Sequence, residues 1–296
     1  MYFTGFADEA AKGLEGQVKA TRELGWRNIE SRCIGGTNIH DISDAEFDRV
    51  QEVLELADIK INCFGSTIAN WAKKITDAED TSFEEAKRAI PRMQKLGTKL
   101  VRIMSYAVIE ENDPDDQMEE ERYRRLRELQ KMFADAGITP VHENCMNYGG
   151  MSWQYTMRLI ENVPGLKLVY DTGNPLLNPD RSKSKPWPRQ DSWEFYQKVK
   201  EHVEYIHIKD VIWHADKNEP EYTYPGKGQG CVKQILTDAI NSGYDGGLSI
   251  EPHLAVVFHD ASVDSSEEKM YKSYVRYGRD LVNIVENIKK KELETA

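Results

Sequence analysis

Four polar side chains stand at the ends of four successive apolar runs in the second half of the chain. The runs close with VHEN, VYDTGN, YIHIKD and SIEPH, which place Glu143, Asp171, His207 and Glu251 at or near the last position of each run. If the runs are parallel strands of a barrel, their carboxyl ends meet on one face. Three carboxylates and one imidazole suit a divalent ion such as Mn²⁺, Mg²⁺, Co²⁺ or Zn²⁺. A cation there would also keep three neighbouring carboxylates ionised. The pattern therefore predicts one metal site built from these four residues.

Each of these residues also has an ordinary explanation when it is taken alone. An aspartate before Thr-Gly, such as Asp171, is usually a turn residue or a helix cap. A histidine in an apolar strand is more often a hydrogen-bonded core residue, and a glutamate before proline often starts a helix. Four such coincidences on four successive strands are not expected, so the joint pattern favours the metal site.

The elements that must position these residues alternate along the whole chain. Helical stretches separate eight short apolar runs, which is typical of a parallel sheet with helices outside. The predicted strands are Tyr2–Phe6, Asn28–Ser31, Lys60–Phe64, Leu100–Met104, Thr139–His142, Leu166–Tyr170, Tyr205–Ile208 and Leu248–Ile250. We therefore expect an α/β fold, a single (β/α)8 TIM barrel over residues 1–296, with a solvated tail at about 289–296.

Three local features add detail to this plan. Residues 178–193 and 212–230 are expected to be long loops after strands six and seven, on the catalytic face of the barrel. Pro91 lies inside the helical stretch from Phe83 to Leu96 and predicts a kink or a broken first half of that helix.

Composition limits the partners of the protein. The net charge of −11 over 296 residues disfavours binding to nucleic acid and to anionic membranes. The four cysteines are scattered, so neither a disulfide framework nor a thiolate zinc site is indicated. The first residues, MYFTGFADEA, do not have the pattern of a signal peptide. We expect a cytoplasmic protein.

The series HEN, DTGN, HIKD and EPH, in that order, resembles the xylose isomerase-like barrels. Within them it looks like the sugar phosphate isomerase/epimerase family, which includes ketose 3-epimerases, hydroxypyruvate isomerases and inosose dehydratases. The resemblance covers nearly the whole chain, from GFADEA to EPH, and is more specific in the second half. It implies a xylose isomerase-like fold, a small carbohydrate substrate, and Glu143 and Glu251 as metal ligands that also serve as acid and base. Asp171 and His207 would complete the metal site, with Mn²⁺ favoured.

The expected chemistry is proton abstraction beside a carbonyl. A metal that chelates the carbonyl and hydroxyl oxygens of a sugar acidifies the neighbouring C–H bond by stabilising an enediolate. One glutamate removes the proton and the other returns it, which gives an isomerase or epimerase. The alternative is a lyase, either an inosose-type dehydratase or an enzyme that eliminates from a 3-keto glycoside. Several ketose epimerases carry a histidine where this chain has Asn174, so the substrate need not be a simple free ketose.

Other residues are candidates for contact with the substrate. His253 follows the last strand, Glu30 ends strand two and Arg102 lies on strand four. Trp187 lies on the first long loop. The PGKGQG segment resembles the PGxG segment of the family, which implies that Gly226 and Gly228 let backbone approach the substrate. The candidate substrate-binding residues are Asn174, His253, Glu30, Arg102, Trp187, Gly226 and Gly228. Lys209 and Asp210 are candidate supporting partners of the metal ligands.

Several rival interpretations remain open at this level. PGKGQG lacks the spacing of a phosphate-binding loop, so we expect no nucleotide cofactor. An abasic-site endonuclease shares this barrel but needs more histidine ligands and a basic surface. A non-catalytic sugar-binding protein would have the same fold without proton exchange. A homodimer is compatible with the outer helices.

Overall fold

Eight parallel strands form the central sheet of the computed structural model, which describes residues 1–78, 80–256 and 265–295. Each predicted strand is present, and its ends lie within two residues of the predicted ones. The strands are β1 (Tyr2–Gly5), β2 (Asn28–Ser31), β3 (Lys60–Gly65), β4 (Leu100–Ile103), β5 (Thr139–Glu143), β6 (Lys167–Asp171), β7 (Val203–Ile208) and β8 (Gly247–Ile250).

The sheet closes on itself. Its hydrogen-bonded order is β1-β8-β7-β6-β5-β4-β3-β2, so β1 and β2 are the two ends. A parallel bridge between Phe6 and Glu30 joins those ends. In the described part of the chain this isolated bridge is the pairing between β1 and β2, which makes their junction the seam of the barrel. The predicted (β/α)8 TIM-barrel fold is confirmed.

Helices cover the outside of the barrel, one after each strand. They are α1 (Leu14–Glu23), α2 (Asp44–Ala57), α3 (Thr81–Leu96), α4 (Glu119–Asp135), α5 (Trp153–Asn162), α6 (Ser192–Val199), α7 (Val232–Asn241) and α8 (Glu267–Thr295). A capping box of Ser43 and Glu46 starts α2. None of the described helices has both the length and the apolar composition needed to cross a membrane.

Two local expectations concern the helices. Helix α3 runs unbroken through Pro91. Pro91 is exposed, so the carbonyl that loses its helical partner there can be hydrated. Helix α8 extends to Thr295, so residues 289–295 continue a helix where a tail was expected, with Lys289, Lys290 and Lys291 exposed.

The loop expected after β7 contains an antiparallel hairpin of Asp210–His214 with Glu219–Thr223. A smaller hairpin, Cys33–Ile34 with Thr37–Asn38, follows β2. A one-turn helix, Asn174–Leu177, follows β6. These additions lie on the face where the strands end.

Alternation along the strands stacks the barrel interior in layers. Val141, Val169 and Tyr205 belong to a buried apolar group inside the barrel. Each lies two residues before a predicted metal ligand on the same strand, so the ligands point into the barrel one layer higher. The apolar layer is therefore a floor beneath the polar residues.

Candidate metal centre

The structure brings the four predicted ligands together at the carboxyl ends of β5 to β8. Glu143, Asp171, His207 and Glu251 each offer one ligand atom, and these atoms lie within 4.8 Å of one another. All four residues are buried. Such a set of three carboxylates and one imidazole could hold a divalent ion.

The orientation of His207 fits a metal ligand. Its Nε2 lies 2.9 Å from Oε2 of Glu30, so Nε2–H donates to that carboxylate. Among the described residues Nδ1 has no hydrogen-bond partner, and it points toward Glu143 Oε1 at 3.5 Å and Glu251 Oε2 at 3.7 Å. A carboxylate behind a ligating imidazole fixes its tautomer and increases its basicity. The free nitrogen is therefore the one aimed at the carboxylates.

Asp171 also has one oxygen reserved for a ligand. Its Oδ1 accepts hydrogen bonds from the backbone N–H groups of Gly173 and Asn174, at 2.8 and 2.7 Å. Its Oδ2 accepts no hydrogen bond from the part of the chain that the structure describes, and it forms an ion pair with Lys209 at 3.2 Å. Burial raises the pKa of Asp171 to about 6 against the opposing charge of Lys209. The turn after β6 thus fixes the carboxylate of Asp171 through Oδ1, and Oδ2 faces the other ligands.

Glu143 is held by an arginine and an amide. Arg102 Nη1 donates to its Oε2 at 3.1 Å, and Asn174 Nδ2 donates to its Oε1 at 3.1 Å. Burial by itself would raise the pKa of Glu143, but Arg102 and His207 outweigh it and lower that pKa to about 2. The carboxylate is ionised at neutral pH.

Glu251 lies among four nitrogen groups. Lys209 Nζ is 3.0 Å from its Oε2. Arg32 Nη1 donates to Oε1 at 3.3 Å, and His253 Nε2 lies 3.5 Å from the same oxygen. Burial opposes ionisation, but Lys209, His253, His207 and Arg32 together hold the pKa of Glu251 well below its usual range. Glu251 is therefore ionised as well.

Lys209 lies inside the cluster itself. Its ammonium is within 3.2 Å of Asp171, within 3.0 Å of Glu251 and 3.1 Å from Asn174 Oδ1. Burial alone would lower the pKa of Lys209, but Asp171, Glu251 and Glu143 raise it well above the usual value. Its positive charge offsets part of the repulsion between the carboxylates.

The Phe6 ring lies beneath the two arginines that hold the glutamates. The guanidinium of Arg32 is 4.3 Å and that of Arg102 is 5.2 Å from the ring centroid. The edge of the same ring packs on His207, with 5.1 Å between centroids. Arg32 is fixed further by Asp8, whose oxygens accept two of its N–H groups at 3.0 and 3.1 Å. These contacts leave little freedom in the groups that surround the ligands.

A cavity of about 270 Å³ opens above the ligands. Of the residues predicted to contact substrate, Asn174, His253 and Arg102 line it, as do Glu143 and Glu251. His253 is fixed from behind, because Glu9 lies 3.0 Å from its Nδ1 and accepts its backbone N–H at 2.7 Å. The ring of Tyr222, from the hairpin after β7, packs edge-on against His253.

Four residues predicted to contact substrate are placed elsewhere. Glu30 lies behind His207 and also accepts from Ser249 Oγ at 2.5 Å, so it supports the imidazole. A Cβ on Gly226 would lie 2.6 Å from Lys233, against α7. A Cβ on Gly228 would clash with the carboxylate of Asp210.

The glycine segment is thus shaped by packing around Asp210 and α7. The carboxylate of Asp210 accepts the N–H groups of Val211, Gly228 and Gly230 at 3.0, 3.0 and 2.9 Å. Trp187 is half-buried between Arg181 and Lys185, each 4.6 Å from its ring, and is not part of the cavity wall.

Several residues of the site had no signal in the sequence, and Asp8 and Glu9 are the main ones. They lie in a short 3-10 turn after β1 and meet Arg32 and His253 only through the closure of the barrel. Lys209 was expected as a supporting partner of the metal ligands, and in the structure it contacts two ligand carboxylates, those of Asp171 and Glu251.

Comparison with known proteins places the chain in a family. The model of the xylose isomerase-like TIM barrel family matches residues 18–277. No curated protein matches the sequence at a significant level.

Solved structures with the same fold cover nearly the whole chain at low identity. A D-tagatose 3-epimerase-like protein has a TM-score of 0.71 and 16% identity, with 98% of this chain and 99% of that chain covered. A xylose isomerase-like TIM barrel protein from Mycobacterium smegmatis, in complex with magnesium, has a TM-score of 0.67 and 16% identity, with 96% and 97% covered. A probable 3-DHS dehydratase from Bacillus anthracis has a TM-score of 0.64 and 14% identity, with 93% and 97% covered. At these identities the likeness establishes the fold, and together with the family match over most of its length it follows that this chain belongs to the xylose isomerase-like TIM barrel family.

Proposed function

We propose that this protein is a divalent-metal-dependent isomerase or epimerase of a sugar or sugar derivative, acting on a C–H bond beside a carbonyl. The observation that carries the proposal is the pair Glu143 and Glu251. These two ionised glutamates line one cavity, and their ligand atoms lie close to those of an imidazole and an aspartate. An ion held there would polarise the carbonyl and stabilise the negative charge that develops on its oxygen.

The two glutamates are the proton carriers of the proposed reaction. One carboxylate accepts the proton from carbon and later releases it to water. The other takes up a proton from water and returns it to the opposite face or to the neighbouring carbon. In isomerisation the hydroxyl proton of the enediolate also moves to the former carbonyl oxygen. Return to the same carbon gives epimerisation, and return to the neighbour gives isomerisation. One proton is taken and one is given, so the charge of the site is unchanged after each cycle.

The residues around the glutamates orient the substrate. Arg102, Asn174 and His253 line the cavity and present N–H groups. Lys209, with its ammonium 3.0 Å from Glu251, is a further donor to a substrate oxygen. Because Arg32 and Phe6 hold these groups from behind, the substrate meets donors that are already in place.

A lyase is the second candidate, and the position of Lys209 favours it. An ammonium beside Glu251 can donate a proton to an oxygen that leaves from the next carbon. The same first proton abstraction would then end in elimination. The probable dehydratase among the structural relatives has the same fold, and analysis of the products separates the two reactions.

Solvent deuterium exchange tests the proposal. The Mn²⁺-loaded protein in D2O is given ketoses, 3-keto sugars and inososes, and the C–H signals beside each carbonyl are followed by NMR. We expect exchange that stops on chelation. Glu143→Gln and Glu251→Gln should each reduce the exchange rate by about 10²–10⁴-fold.

Glu121→Gln is the matched control, since Glu121 pairs with Arg124 and Arg125 on the outer helix α4. It should exchange at the wild-type rate. Wild-type exchange in both active-site variants would contradict the assignment of the acid and base.

The finer assignments are parts of the same proposal. We infer manganese as the resident ion, because a site of three carboxylates and one imidazole is mainly hard with one nitrogen ligand. Elemental analysis of the purified protein distinguishes it from magnesium, cobalt and zinc. A homodimer and a cytoplasmic location are proposed as well, and light scattering at several concentrations tests the dimer.

A further inference from the structure

A second cavity adjoins the one above the ligands. This outer cavity has a volume of about 400 Å³, against about 270 Å³ for the inner one. Trp71, Met146 and Leu177 line both cavities, so the two meet along these side chains. The three come from the loops after β3, β5 and β6, on the face where the metal centre opens.

The inner cavity alone has room for a small substrate. Pockets for drug-sized ligands measure about 300–1,000 Å³, and the inner one lies below that range. One sugar ring would fill it, and any large substituent on that ring would have to leave toward the shared wall. The outer cavity lies directly across that wall.

The wall of the outer cavity is mainly apolar, with Val108, Met151 and Pro179 beside the shared residues. Its polar side chains are already engaged. Asn147 Oδ1 accepts from Ser105 Oγ at 2.6 Å and Asn147 Nδ2 donates to the Glu143 carbonyl at 3.1 Å.

The other polar groups of this wall are engaged as well. Asn178 Nδ2 donates to the Asn174 carbonyl at 3.1 Å, and Arg181 forms an ion pair with Glu110 at 2.6 Å. A hydroxyl-rich group would compete with these bonds, whereas an apolar ring would leave them intact.

Trp71 and Met146 are exposed although both are large and apolar, at 38% and 39% of their surface. Apolar side chains gathered at the rim of a cleft mark a ligand-binding surface more often than chance exposure does. Trp71 offers a flat face for a ring, and Met146 adapts to the shape of its neighbour.

From these observations we propose that the substrate is a sugar that carries an apolar, aromatic-type ring as a glycosidic substituent. The sugar lies over the metal ligands and the apolar ring lies in the outer cavity against Trp71. This inference rests on the proposed function of the inner site. It narrows the substrate from a free sugar to an aryl glycoside or its oxidised form.

Binding of carbonyl-free probes tests the inference without turnover. Phenyl β-D-glucopyranoside and methyl β-D-glucopyranoside are titrated by calorimetry into the Mn²⁺-loaded protein and into the chelated protein. We expect the phenyl probe to bind about tenfold more tightly, the gain typical of one well-packed aromatic contact. Trp71→Ala and Val108→Arg should remove this advantage, the second by filling the outer cavity. Val108 lines the outer cavity and not the inner one, so Val108→Arg should leave the affinity for the methyl probe the same.

Leu56→Ala is the matched control, because Leu56 is an apolar side chain, 88% exposed, on α2 and outside both cavities. It should keep the full preference for phenyl. Equal affinities of the two probes for the wild-type protein, no binding of the phenyl probe at millimolar concentration, or a preference that survives both variants would overturn the inference. Tighter binding of cellobiose than of the phenyl probe would replace the apolar ring by a second sugar.

The two proposals fail in different ways. A phenyl preference without deuterium exchange in any keto sugar or in the 3-keto form of the phenyl glycoside refutes the isomerase and leaves the outer cavity as a binding site. Exchange without a phenyl preference refutes the outer cavity alone.

Discussion

At the scale of single residues, three of the four predicted metal ligands are oriented by a hydrogen bond with a neighbouring group. Glu30 holds His207, the backbone turn at Gly173 holds Asp171, and Arg102 holds Glu143. Each of these partners fixes one atom of its ligand, while a second atom of that ligand lies within reach of a common ion. Partners of this kind influence metal affinity without touching the metal.

Glu30→Gln tests that influence. The amide keeps the size of the side chain but loses the charge that orients the imidazole. We expect Mn²⁺ affinity, measured by calorimetry, to fall by about 10–100-fold. Glu121→Gln on α4 serves as the control and should bind Mn²⁺ as the wild type does. Unchanged affinity in Glu30→Gln would mean that Glu30 has no part in the centre.

Metal binding should also depend on pH. Burial would lower the pKa of His207, but Glu30 and Glu143 raise it to about 10. The imidazole therefore carries a proton that the ion must displace at neutral pH. Binding should therefore release about one proton, and the affinity for Mn²⁺ should rise about tenfold per pH unit between about pH 7 and pH 9.

A second group steepens this dependence at low pH. Because burial raises the pKa of Asp171 to about 6, Asp171 is also protonated below that value and the affinity should fall more steeply there. Calorimetry in buffers of different ionisation enthalpy counts the protons released. Binding that releases none at pH 7 would contradict this account.

At the scale of the elements, the hairpin after β7 and the glycine segment that follows it are tied to one carboxylate. Asp210 accepts three backbone N–H groups from these two segments. The hairpin also carries Tyr222 onto His253. One buried side chain thus positions a part of the cavity wall.

Asp210→Ala should loosen this region, because it leaves three backbone donors without an acceptor. We expect the free energy of unfolding in urea to fall by about 1–3 kcal/mol. Asp210→Asn keeps an acceptor oxygen and should cost less. Equal stability of the alanine variant and the wild type would show that water replaces the carboxylate without loss.

The sequence predicted the elements of the barrel better than their connections. Short apolar runs alternating with amphipathic helices have a clear period, and this placed β7 and β8 within two residues of their ends. The hairpin at Asp210–His214 was missed because its second strand, EPEYT, is polar and mostly exposed. The chain carries no periodic signal for such a strand.

The same distinction holds for the site. Strand-end residues such as Glu143 and Asp171 could be read from position alone, since the end of a strand fixes where they point. Asp8 and Glu9 could not, because their partners Arg32 and His253 are distant in sequence. The sequence suggested that Gly226 and Gly228 let backbone approach the substrate. In the structure Gly226 packs against Lys233 and Gly228 against Asp210, so neither position has room for a side chain.

At the scale of the whole molecule, the ligands come from four strands, so an ion would connect half of the barrel. Binding to the folded state alone stabilises a protein by about 2.7 kcal/mol at a hundredfold excess over Kd. For a chain of this size we expect Mn²⁺ to raise Tm by about 5 °C. Differential scanning calorimetry with and without a chelator measures the shift.

The control for this shift is a variant of the centre. Glu251→Gln should show a smaller increase in Tm, while Leu56→Ala should show the full one. Because Lys209, Arg32 and Arg102 offset the charge of the carboxylates, the chelated protein should remain folded at room temperature. Loss of the native circular dichroism on chelation would contradict that expectation.

The seam between β1 and β2 has a mechanical consequence. In the described part of the chain, an isolated backbone bridge between Phe6 and Glu30 joins the two ends of the sheet. We therefore expect local opening of the barrel to begin between β1 and β2. The side chain of Glu30 crosses the interior from the seam to reach His207 on β7 and Ser249 on β8. Glu30 therefore connects the seam to the metal centre through its hydrogen bond with His207. Opening of the barrel at the seam would displace Glu30 and with it the imidazole of His207. We therefore expect retention of the ion to depend on how firmly the two ends of the sheet stay paired.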